Sequence, residues 1–63
     1  MPIEITAKNR SVRVEFIAIG TVGPLFEVLF LTDGVRVGHW PIHGGLALAS
    51  LIENWITLGQ RPQ

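Results

Sequence analysis

The sequence predicts a small α+β fold: an antiparallel β-meander of three to four strands with one C-terminal α-helix packed on one face. Three observations lead there. Residues 2–40 form short runs rich in branched and aromatic side chains, broken by turn residues at 8–10, 20–24 and 33–34. From about Gly44 the apolar period lengthens to that of a helix. A chain of 63 residues has material for one domain.

The first expected strand, about residues 2–7, alternates apolar and polar through Pro2-Ile3-Glu4-Ile5-Thr6. Lys8-Asn9-Arg10 reads as a turn, with Asn9 the residue suited to a left-handed conformation. In the second strand, about 11–19, Val12, Val14, Phe16 and Ala18 point one way, and Arg13, Glu15, Ile17 and Ile19 the other. Residues 25–32, LFEVLFLT, are apolar on both faces except at Glu27. Pro24 would also suit the first position of a helix, but the run is only about eight residues long. The flanking glycines and the Asp33-Gly34 hairpin signal favour a strand. A returning strand covers about 35–40. Pro41, with no N–H to give a ladder, ends it or lies on an edge. In the helix, about 45–58, Leu48, Leu51, Ile52, Trp55 and Leu58 form one stripe, opposite Ser50, Glu53, Asn54 and Thr57. Gly59 is placed to close it, and residues 60–63 form a tail.

Composition sets limits on function. Hydrophobic residues make up 48% of the chain and charged residues 16%, more apolar material than so small an interior can hide. A homodimer is therefore expected, burying the second sheet face or pairing edge strands. Without cysteine there is neither a disulfide framework nor a thiolate metal site, and no cofactor is expected. Zero formal net charge argues against a protein devoted to gripping phosphate backbones. The start, Met1-Pro2-Ile3-Glu4, lacks the basic and apolar regions of a signal peptide, and no apolar run approaches membrane-spanning length. A cytoplasmic location with no membrane partner is expected.

The segment GHWPIHGG at 38–45 concentrates the residues with chemical potential. His39 and His43 have a spacing that suits zinc on a helix, but Pro41, Gly44 and Gly45 oppose a helix there, so no metal is expected. The backbone of His43-Gly44-Gly45 could meet an anion at the helix start, although two glycines also serve simply to turn the chain. Lys8, Arg10, Arg13 and Arg36 could form a basic patch. Arg13 and Arg36 with Trp40 as a stacking platform would make a nucleic-acid-binding module, an alternative weakened by the neighbouring acids Glu15, Glu27 and Asp33. Trp55 lies on the helical stripe and reads as core. Trp40 reads as an interface anchor, a role in which tryptophan is enriched. Neither a Ser-His-Asp set nor a carboxylate pair is legible, so catalysis is not expected. The leading expectation is a regulatory or inhibitory accessory protein, of a kind that phage and mobile elements often encode. It would bind an unknown protein partner through Trp40, Pro41, His43, Arg36 and Arg13.

A further alternative comes from resemblance. Met1-Pro2-Ile3, SVRV at 11–14, and GHW followed by Ile42 and Gly44-Gly45 resemble segments of the 4-oxalocrotonate tautomerase family. The resemblance implies an enzyme whose general base is the amine of Pro2, freed by removal of Met1. Arg13 would then bind substrate and Trp40 would line an apolar pocket. The family places a long helix between its first two strands, whereas only Thr6–Arg10 are available here. The matched pieces total under a third of the chain.

Overall fold

The structure, a computed structural model, describes residues 2–62. Met1, whose removal the tautomerase resemblance requires, and Gln63, the last residue of the expected tail, lie outside them. Four strands, β1 (Ile3–Ala7), β2 (Arg10–Gly20), β3 (Gly23–Thr32) and β4 (Val35–His43), form one antiparallel sheet in the order β1-β2-β3-β4. A helix, α1 (Gly45–Glu53), follows and continues as a π-helical turn, Asn54–Leu58. The expected α+β meander is therefore the observed fold.

Tight turns make the meander. Asp33 and Gly34 both take positive φ, 53° and 78°, between the paired residues Thr32 and Val35. This handedness matches the twist of the strands it joins. At the first turn it is Lys8, with φ 58°, that adopts the left-handed conformation, not Asn9 as its residue type suggested. Asn9 instead accepts a hydrogen bond through its carbonyl from the Asp33 N–H at 2.8 Å, tying the first and third hairpins together.

Two irregularities change the expected faces. The β2–β3 register slips between Phe16 and Ala18, so Ile17 is an extra residue. Phe16 therefore pairs with Phe26 on one face while Ala18 pairs with Leu25 on the other, and the expected alternation through Ala18 is broken. Ile19, opposite Pro24, returns to the face of Phe16 and Phe26. A second slip lies between Phe30 and Leu31, with Val37 as the extra residue of β4.

Pro41 does not end β4, which runs three residues past the expected limit, from the expected Trp40 to His43. It is tolerated because β4 is an edge strand, where a missing donor can face outward. Gly44 then turns the chain at φ 88°, a backbone open mainly to glycine, and its N–H reaches the Pro24 carbonyl at 3.0 Å.

Val12, Val14, Val28 and Phe30 form the sheet side of the core, and Leu51 and Trp55 the helix side. Phe30 and Trp55 pack with ring centroids 5.2 Å apart. The Trp55 Nε1–H donates to the Ser11 carbonyl at 2.7 Å, so the largest buried side chain of the helical segment leaves no orphan donor. The expected stripe holds through Trp55 and fails at Leu58, which is 62% exposed, while Ile56 packs against the core. The wider π turn advances less per residue than an α turn, so positions after Trp55 fall out of the 3.6 phase. Gly59, at φ 70°, and a bond from the Gln60 N–H to the Asn54 carbonyl close the segment. Among the described residues no helix is long and apolar enough to cross a membrane.

Candidate functional site: two unlike faces of one sheet

Register assigns each candidate residue to a face. Directly paired residues point to the same side of a sheet. On the helix-bearing side the rows run Ile5–Val12–Phe30–Gly38, then Ile3–Val14–Val28–Trp40, then Phe16–Phe26–Ile42. On the open side they run Thr6–Ser11–Leu31–Arg36, then Glu4–Arg13–Leu29–His39, then Glu15–Glu27–Pro41, then Ala18–Leu25–His43. Arg13, Arg36, Pro41 and His43 therefore share the open face, and all four are exposed. Trp40 stands alone among the five on the opposite face.

The open face carries its own polar cover. Leu25, Leu29 and Leu31 lie along β3 on this face, interrupted by Glu27, and each is half-buried. Arg13 Nη2 lies 3.4 Å from Glu4 Oε1, and His39 Nε2 lies 3.4 Å from Glu27 Oε1. Glu15 and Glu27 are direct cross-strand neighbours, a like-charge pair that is unfavourable in a sheet. Arg13 and His39 flank that pair on either side. The face is a mixed field and lacks a basic stripe.

Of the four cations in the expected patch, only Arg13 and Arg36 belong to this face. Arg10 turns to the helix side, its Nη2 3.5 Å from the Thr57 carbonyl and its guanidinium packed over Gly59. Lys8 sits in the first turn. Arg13 and Arg36 are separated by the whole of β3, roughly 10 Å across the sheet at the usual strand spacing. His39 and His43 lie on one face but four residues apart along a strand, about 13 Å, beyond the reach of a single ion. Among the described residues no group of three or more His, Asp or Glu converges. Nor do Pro2, Arg13 and Trp40 meet within one chain. Pro2 precedes β1, Arg13 lies on the open face, and Trp40 lies on the far edge strand of the helix face.

The helix-bearing side is different in kind. Strand β2 alone is eleven residues long, about 36 Å, whereas the helical segment of 14 residues is about 21 Å. Helix α1 lies mainly against β4 and the π turn against β2, and much of β1 and of the β2–β3 hairpin stays uncovered. Ile3, Ile5, Phe16 and Ile19 stay exposed there, and Phe16 and Phe26 stack edge to face at 5.8 Å. Trp40, 36% exposed, walls an open cleft with Gly38, Gln60, Arg61 and Pro62.

Arg61 was expected to be only tail, yet its Nη1 donates to the Val37 carbonyl and its side chain lies over Gly38. A Cβ at position 38 would stand 3.1 Å from the arginine and 3.2 Å from the Phe30 ring. The signal available for this was a glycine inside a strand, which often marks a close approach. Comparison with protein-family models, with curated proteins and with solved structures yields no match to this chain.

Proposed function

We propose that the protein is a non-catalytic protein-binding module, a cytoplasmic regulatory or inhibitory accessory protein that works as a homodimer. One observation carries the reading. Large apolar side chains of the helix-bearing side (Ile3, Ile5, Phe16, Ile19 and, at the cleft, Trp40) stay exposed because the helix is shorter than the sheet. Large apolar side chains left exposed on a small domain are characteristic of an interaction site, here in two places: Ile3, Ile5, Phe16 and Ile19 toward β1 and the β2–β3 hairpin, and Trp40 on edge strand β4 beyond the buried Val14 and Val28. Trp40 is the anchor for the heterologous partner. Being on edge strand β4, it can be gripped together with Pro41, His43 and Arg36 by a partner that clasps both sides of that edge. Arg13 lies two strands inward, at the margin of such a contact.

The test is direct binding. A protein captured from the native host by the wild-type chain is purified and titrated against wild type and Trp40→Ala. The expected loss on truncation is at least tenfold, the scale of an interface anchor. Equal affinity for both would remove Trp40 from the binding surface. The nucleic-acid reading is weaker, since Trp40 and the pair Arg13 and Arg36 lie on opposite faces and cannot hold one strand together. Binding to an oligonucleotide at low salt that falls steeply as salt rises would restore it.

A further inference from the structure

We infer that the outer edge of β1 is the self-association surface, and that two copies pair their β1 strands antiparallel about a two-fold axis at Ile5. This rests on the homodimer in the proposed function and specifies its geometry. The sheet has two edges. The β4 edge is obstructed: Pro41 lacks a donor, Val37 is bulged, and Arg61 occupies the Val37 carbonyl. Such features protect an edge from pairing. The β1 edge has none of them, since Ile3–Ala7 contains no proline or lysine and pairs with β2 without a slip.

Backbone geometry and charge then select the register. Ala7 and Arg10 flank a two-residue turn, so they form a hydrogen-bonded pair. Alternation makes Ile5 and Ile3 bond inward to β2 as well, leaving the N–H and C=O of Glu4 and Thr6 directed outward. A two-fold axis at Ile5 pairs all five residues of the strand. It sets Glu4 against Thr6 of the second copy, and those two residues hold the outward groups. An axis at Glu4 would oppose two carboxylates. An axis at Thr6 would set Glu4 against Lys8, which has left the extended conformation.

The same register keeps Ile3 and Ile5 of both copies on the helix-bearing side. These isoleucines are 61% and 39% exposed in the single chain, and each copy supplies the apolar cover the other lacks. The occupant of this edge is thus a second copy of the chain.

The experiment is sedimentation equilibrium of the full chain and four variants. Thr6→Gln serves as the reference, because any change at Thr6 loses its 3.1 Å contact to the Ser11 hydroxyl. Thr6→Lys should tighten the dimer about fivefold and Thr6→Glu should loosen it about fivefold, since each acts twice across the axis. Both effects should fade in high salt. Ile5→Lys, which sets two ammonium groups together, should give a folded monomer, checked by amide spectra. A dimer indifferent to all of these overturns the β1 edge while leaving self-association intact. Loosening by both Thr6→Lys and Thr6→Glu overturns the Ile5 register. A monomer at every concentration removes the dimer itself, whereas the Trp40-dependent binding above is read separately.

Discussion

Trp55, Lys8 and Gly59 show how single residues hold so small a fold. The indole of Trp55 fills the core and its N–H is spent on the Ser11 carbonyl. Trp55→Phe should cost about 1–2 kcal/mol, from a lost buried hydrogen bond and a smaller ring. Urea unfolding measures it. Lys8 holds a left-handed conformation that a side chain makes unfavourable. Lys8→Gly should therefore stabilise by about 0.5–1 kcal/mol, after allowing for the extra freedom glycine brings to the unfolded chain. Gly59 has the opposite character. At its φ of 70° any side chain is strained, and a Cβ would also displace the Arg10 guanidinium, so Gly59→Ala should destabilise by about 1–2 kcal/mol. Sequence marked Trp55 as core and Gly59 as a stop. That Arg10 is the neighbour pressed on Gly59 could not be read, because residues 49 positions apart meet only through the sheet.

At the scale of elements, α1 is fastened by few side chains. Leu51 is its buried residue, with Leu48 and Ile52 partly covered. Leu51→Ala should cost about 2–4 kcal/mol. A core of this size rarely supplies more than about 3–5 kcal/mol in total, so the variant should keep only about 1 kcal/mol and populate the unfolded state measurably at room temperature, seen as a second set of amide signals with collapsed dispersion in a two-dimensional NMR spectrum. The strands were legible because their apolar and turn residues alternate at the right periods. What was lost were the phase changes. The bulge at Ile17 moves Ala18 off the expected face, and the π turn after Glu53 moves Leu58 outward and Ile56 inward. Each is a change of one residue in count, which leaves no mark on composition and reverses which side a residue faces.

For the whole molecule, the lengths of the elements matter more than their identities. The principal extents are 35 × 21 × 16 Å, an elongated slab whose helical segment covers only part of one face. Part of the apolar surplus, Ile3, Ile5, Phe16, Ile19 and Val22, sits toward β1 and the β2–β3 hairpin, while Leu46 and Leu58 stand out from the helical segment and Val35 from the start of β4; the open face keeps Leu25, Leu29 and Leu31 half-buried. If self-association covers that surplus, thermal stability will depend on concentration. The midpoint of unfolding should rise by several degrees between micromolar and near-millimolar protein in the wild type and stay flat in Ile5→Lys. Scanning calorimetry at two concentrations decides it.

The sequence alone determined the order and kind of the elements, the Asp33-Gly34 hairpin, the helical stripe through Trp55 and the excess of apolar side chains. These are local properties: periodicity, turn chemistry and composition act within a few residues. Only the tertiary structure decided that Trp40 faces away from Arg13, Arg36, Pro41 and His43, that Arg61 closes over Gly38, and that the bare apolar surface lies beside the helix. Those facts depend on register, on bulges and on the relative lengths of sheet and helix. Such quantities arise only when distant segments pack, so the five candidate residues end on two sides of one sheet.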